Sequence, residues 1–144
     1  MSVLVVDASI GMKWFVQEVH SAEARAWRSG PDSLHAPAFF FDLEIANILW
    51  KKVRRAEISR ADADLILGQL PALPITRYPE APLLVPAFDL ADRTGRTVYD
   101  CLYLALAVQL GGRMLTADQR LYNSLAATPW ASYLRWVTDL PKGP

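Results

Sequence analysis

Short apolar segments alternate with helical patterns along this chain, and that alternation limits the fold more than any other feature. Four segments, residues 3–6, 36–39, 73–76 and 113–116, are apolar and bounded by breakers, so each reads as a buried strand. Residues 133–137 are a fifth candidate, a terminal edge strand in which Leu134 and Trp136 alternate with Arg135. Helix-forming composition fills residues 20–29, 40–55, 59–70, 82–94, 98–110 and 117–126. Ser59 and Asp62 have the spacing of a capping box, and Gly111-Gly112 stops the helix before it. Strands separated by helices pair in parallel through right-handed crossovers. The expected fold is α/β: a three-layer α/β/α sandwich around a short, mainly parallel sheet of four or five strands.

Composition narrows the function. A chain of 144 residues buries roughly two-thirds of its unfolded surface and needs no disulfide or metal staple. With 52% hydrophobic and 21% charged residues, disorder is excluded as the dominant state, and the mild apolar excess points to surface covered by another chain. Fifteen basic residues balance fifteen acidic ones. Bulk-charge binding of a polyanion is thereby excluded, and any nucleic-acid contact must use a local patch. The single Cys101 cannot form an internal disulfide, which fits a reducing compartment. The apolar run 101–108 falls well short of the roughly 20 residues of a membrane span. No signal peptide is legible either, since no Lys or Arg precedes Lys13. The expectation is a soluble, cytoplasmic protein with no membrane contact.

In open α/β sheets ligands bind at the carboxyl ends of the strands. The first strand runs directly into Asp7, and the fourth ends Leu115-Thr116-Ala117-Asp118. Glu44 and Asp100 stand in the opening turns of helices aimed at the same edge, the second within an otherwise apolar, buried crossover. Each acid has a structural reading of its own. Asp7 could start an Asx turn or cap a helix, Asp100 lies at capping-box spacing from Thr97, Asp118 suits a helix's first turn, and Glu44 has a rival in Asp42. Together they form a set of hard oxygen donors that repel one another and call for Mg²⁺ or Mn²⁺.

The stretches VLVVDAS, LEIANIL, VYDCLYLALA and LTADQRL resemble the four signature blocks of the PIN domain, specifically of VapC-type toxins from bacterial toxin–antitoxin pairs. The likeness runs from residue 3 to about residue 121, with YDCLYLALA and TAD the most specific blocks. It implies one PIN domain over residues 1–144 and a Mg²⁺- or Mn²⁺-dependent endoribonuclease that leaves a 5′-phosphate and a 3′-hydroxyl. Carried over position by position, the catalytic and metal-binding acids are Asp7, Glu44, Asp100 and Asp118, with Ser9, Asn47 and Thr116 in supporting polar positions. The resemblance also implies a VapB-type antitoxin, a homodimer and a higher hetero-oligomer with the antitoxin.

Other chemistries are thin. His20 and His35 match no zinc or triad spacing, and no Walker or Rossmann glycine loop is present. Phosphatases of the haloacid dehalogenase type need a second acid two residues after the first, where this chain has Ser9. Lys13, Lys51, Arg93, Arg96 and Arg120 are candidate RNA contacts, while the run Lys51, Lys52, Arg54 and Arg55 also reads as a solvated helix end. Trp14 and Trp50 are candidates for an antitoxin or dimer groove. Two alternatives stay open: a non-catalytic PIN-like module binding RNA or protein, and an RNA-processing nuclease without an antitoxin.

Overall fold

The structure, a computed structural model, describes residues 2–141. In chain order its elements are β1 (Val3–Val6), α1 (Ala8–Phe15), α2 (Ser21–Ser29), β2 (Ser33–Pro37), α3 (Phe40–Arg54), α4 (Arg60–Gln69), β3 (Thr76–Tyr78), α5 (Leu84–Thr94), α6 (Val98–Leu110), β4 (Arg113–Thr116), α7 (Gln119–Ala126) and β5 (Leu134–Trp136). The five strands form one sheet in the order β3-β2-β1-β4-β5, every pair parallel. Crossovers to β2 and β3 run one way from β1 and the crossover to β4 runs back past it. Right-handedness then puts α6 on the opposite face from α1, which completes an α/β/α sandwich. The reversal falls between β1 and β4, so the crevice at their carboxyl ends is the switch point where such sheets bind ligands.

The core explains the strand sequences. Leu4, Val5 and Val6 are buried, as are Met114, Leu115 and Thr116 on the adjoining β4. Central strands covered on both faces need continuous apolar runs, and both have them. Helix α6 is buried without a break from Cys101 to Ala107, and it ends on Gly111, whose left-handed φ of 64° suits glycine.

Some elements depart from expectation. Residues 8–15 form α1, which is absent from the helices read in the sequence: eight residues containing Gly11 show no legible polar face. Gly11 is there because a Cβ would lie 2.6 Å from the Phe41 ring, so its absence lets α1 approach α3. Strand β2 begins at Ser33 rather than 36, and β3 occupies Thr76–Tyr78 rather than 73–76. β3 is an edge strand, where polar side chains replace the apolar run that marks a central one, and β2, although paired on both sides, opens on Ser33 and carries His35, so apolarity does not mark its start. Leu70–Ala72 instead forms a 3-10 turn.

Candidate active site

Asp7 leaves β1 as the N-cap of α1, so its backbone turn and its carboxylate are set together. Its Oδ1 accepts from the Ile10 amide at 3.2 Å and from the Ser9 hydroxyl, and Oδ2 accepts from the Thr116 hydroxyl. The residue is 6% exposed. Burial pushes its carboxyl up to about 6, reinforced by the charge of Asp118 and opposed by these hydrogen bonds.

Thr116, at the end of β4, and Ser9, in the first turn of α1, brace the crevice from its two sides. Thr116 Oγ1, while donating to Asp7, accepts from the Asp118 amide at 3.0 Å, and Ser9 Oγ accepts from the Ala117 amide at 3.0 Å. Asp118 in turn caps α7, its Oδ1 accepting from the Leu121 amide at 3.1 Å.

The two helix-borne acids arrive from α3 and α6. Glu44 Oε1 accepts from the Tyr103 hydroxyl. Burial, and then the charges of Asp7, Asp100 and Asp118, raise the Glu44 carboxyl to about 7 against the lowering effect of Tyr103. Burial and Glu44 push the Tyr103 phenol up, so it stays a donor at neutral pH. Asp100 stands in the first turn of α6, where Thr97 Oγ1 accepts from its amide at 3.1 Å, and its Oδ2 accepts from Arg96 Nη2 at 2.9 Å.

All four acids line one cleft of about 150 Å³, with Ser9 and Tyr103 beside them. Glu44 Oε2, Asp100 Oδ1 and Asp118 Oδ2 accept no hydrogen bond among the described residues. A hard divalent ion suits such a donor set: one buried and three half-buried carboxylates, mutually repelling, with spare oxygens. Among the described residues no three Asp, Glu, His or Cys side chains are gathered closely enough to hold an ion as they stand.

The other candidate residues scatter. Asn47 is exposed in a groove beside the cleft and hydrogen-bonds to none of the acids. Lys51 shares that groove. Lys13 is largely buried and paired with Glu18 at 3.1 Å, and Arg93 pairs with Asp89 at 3.1 Å. Arg96 is bound to Asp100 itself, and Arg120 is exposed in the first turn of α7. Trp14 is 7% exposed, its Nε1 donating to the Ala24 carbonyl at 3.0 Å, so it is a core residue rather than a docking one. Trp50 is 56% exposed.

Two residues tied to the site escaped the sequence reading. Tyr103 lies three residues after Asp100 on α6, a spacing that shares a helix face and could have flagged it. Glu80 carries no local signal: its Oε2 accepts from the Phe39 and Phe40 amides, both at 2.6 Å, and so caps α3 from 40 residues away. Phe39 provides no side-chain cap of its own.

The PIN-domain family model matches residues 4–124. Ribonuclease VapC3 of Pyrobaculum aerophilum is 39% identical over 131 residues, covering 86% of this chain and 95% of that protein. The chain belongs to the VapC-type PIN-domain family. Ribonuclease VapC12 of Mycobacterium tuberculosis is a second such relative, 34% identical over 121 residues and covering 84% and 91% of the two chains. The VapC-type fold recurs in the crystal structure of Mycobacterium tuberculosis VapC20, a sarcin-ricin-loop-cleaving toxin (TM-score 0.63, 16% identity, 88% of this chain and 99% of that one). It recurs in a Pyrobaculum aerophilum protein with a TM-score of 0.62 at 23% identity, over 85% and 79% of the chains.

Proposed function

We propose that this VapC-type protein is a Mg²⁺- or Mn²⁺-dependent endoribonuclease, the toxin of a toxin–antitoxin pair, with residues 1–144 forming one PIN domain. The observation that carries the reading is the meeting of four carboxylates at the sheet's switch point with a single cation, Arg96, among them. The ribonuclease names of its relatives support it.

Asp7 and Asp100 would hold the principal ion, with Asp118 and Glu44 as further ligands or holding its water. When bound, the ion supplies a water of lowered pKa and neutralises charge building on the phosphate. Thr116, Ser9 and the α1 amides keep Asp7 aimed into the crevice, and Tyr103 fixes one Glu44 oxygen so that the other faces the reacting groups. Attack of the water oxygen on phosphorus and cleavage of the P–O3′ bond leave a 5′-phosphate and a 3′-hydroxyl.

The partners follow from surface chemistry. Exposed Phe39, Leu84, Val85 and Phe88 form an apolar face that a second copy would cover in a homodimer. A VapB-type antitoxin would lie along the groove of about 240 Å³ between α3 and α4, lined by Ala46, Trp50 and Leu67, in a hetero-oligomer. An antitoxin Arg or Lys reaching the four acids would replace the ion's charge and so inhibit. No helix of the described residues is long and apolar enough to cross a membrane, consistent with a cytoplasmic site of action.

The test is incubation of partner-free protein with total cellular RNA in EDTA, Mg²⁺ or Mn²⁺, with product ends mapped. Metal-dependent cuts ending in 5′-phosphate are expected; a folded, partner-free protein that cuts nothing in any metal contradicts the reading.

A further inference from the structure

Beside the acidic cleft lies a groove of about 340 Å³ lined by Phe40, Leu43, Glu44, Asn47, Lys51 and Tyr99. Glu44 and Ile48 border both depressions, so the two are continuous. Tyr99 is 63% exposed although it is large and aromatic, and it immediately precedes Asp100. Its ring stacks on Phe40 with centroids 5.4 Å apart and planes 8° from parallel. That contact fixes the plane of the tyrosine ring in advance of any ligand. Glu44, Asn47 and Lys51 follow at intervals of three and four along α3, which aligns them on one helix face. Neither the Asn47 amide nor the Lys51 ammonium has a side-chain partner among the described residues.

We infer that this groove is a nucleotide subsite, in which an unpaired RNA base beside the scissile phosphate stacks on Tyr99. The inference rests on the ribonuclease reading above and assigns the residues that seat a nucleotide next to the cut. A base in a duplex has both faces covered by its neighbours and cannot reach a protein ring, whereas a splayed base can. Asn47 supplies a donor and an acceptor for the base edge, and Lys51 a cation for the adjoining phosphate. Phe40, Leu43 and Tyr99 also border the adjoining apolar cavity with Phe39 and Leu84, and what marks the groove side is Asn47 and Lys51, an amide and a cation that the apolar side lacks. Four acids with one cation would otherwise repel a polyanion, so an uncharged stacking surface next to them is the means by which RNA is held close enough to cut.

The experiment measures binding, in EDTA, of mixed-sequence 12-nucleotide single-stranded RNAs carrying 2-aminopurine, and of the same sequences as duplexes. Wild type, Tyr99→Ala, Tyr99→Phe and Lys51→Gln are compared, each checked by thermal melting and sedimentation. Tyr99→Ala should bind single strands about 10-fold or more weakly and lose the fluorescence quenching that marks stacking, while Tyr99→Phe stays within about twofold of wild type. Lys51→Gln should weaken all sequences alike and lower the slope of log affinity against log salt by about one. Single-strand binding unchanged in Tyr99→Ala, or duplex bound as well as single strand, overturns the subsite. So does a dissociated oligomer in Tyr99→Ala, which would make the face a contact between copies. Cleavage of the same RNAs by wild type in Mg²⁺ separates the two failures: if it cuts while Tyr99→Ala binds normally, only the subsite falls. If wild type neither binds nor cuts, the ribonuclease reading falls with it.

Discussion

Two polar clusters sit on the same sheet and are built in opposite ways. On β2 and β3, both ring nitrogens of His35 are occupied, Nδ1 by the Tyr78 hydroxyl and Nε2 by the Ser33 hydroxyl, each at 2.8 Å. Acids elsewhere are likewise matched to cations, as Asp42 is to Arg77, Asp64 to Arg60 and Glu18 to Lys13 and Lys52. In the crevice between β1 and β4, four acids share Arg96, and burial raises two of them. A satisfied cluster adds to stability and asks for nothing more. A cluster of like charges without counter-charge costs stability, and its persistence in a folded protein points to a cationic ligand.

Removing an acid from the crevice should break that contrast most visibly. Asp7→Asn is expected to lower metal-dependent RNA cleavage on the order of a hundredfold or more, measured as initial rate on a single substrate at saturating Mg²⁺. The same variant tests the electrostatics without metal. Asp7 titrates at about 6 when folded against about 3.9 unfolded. The folded state therefore holds the extra proton between those values, and stability falls as pH rises through them. Above pH 6 the full penalty of about 2–3 kcal/mol applies. Metal-free wild type should melt lower at pH 8 than at pH 5 for this reason, Asp7→Asn should flatten that dependence, and Mg²⁺ should raise the wild-type melting temperature more at pH 8.

Tyr103→Phe comes next. It leaves the ring, 2% exposed, in place and removes only the hydroxyl that holds Glu44. Mn²⁺ affinity by calorimetry should weaken about 10-fold, as for other groups that orient metal ligands. Arg96→Gln should move the other way: withdrawing the one cation from Asp100 should tighten Mn²⁺ by a few fold, about 1 kcal/mol or less for a partly exposed pair. The smallest effect belongs to the satisfied cluster. His35→Leu should leave cleavage within about twofold and cost about 1 kcal/mol in chemical denaturation; a large loss of cleavage there would erase the distinction between the two clusters.

The central strands and α6 were legible because double-sided burial writes an unbroken apolar run. Strand β2 and the edge strand β3 were misplaced by a few residues, since Ser33, Thr76 and Arg77 belong to strands that apolarity alone does not mark. Helix α1 was missed because its packing depends on a distant ring, that of Phe41, which no local pattern encodes. The four acids were legible by their places after strands and at helix starts. Capping a helix and lining the cleft coexist in two of them, since Asp7 and Asp118 each cap a helix with one oxygen and face the cleft besides. Tyr103 and Glu80 were not singled out, because what makes them matter is a partner 59 or 41 residues away.

Direct titration of the metal-free protein with Mn²⁺, followed by calorimetry and electron paramagnetic resonance, asks whether the crevice is an ion site at all. Wild type should bind at pH 7.5, with binding abolished or weakened more than tenfold in Asp7→Asn and in Asp100→Asn and left intact in His35→Leu. Binding that is absent from folded wild type, or that survives unchanged in both acid variants, would contradict the account.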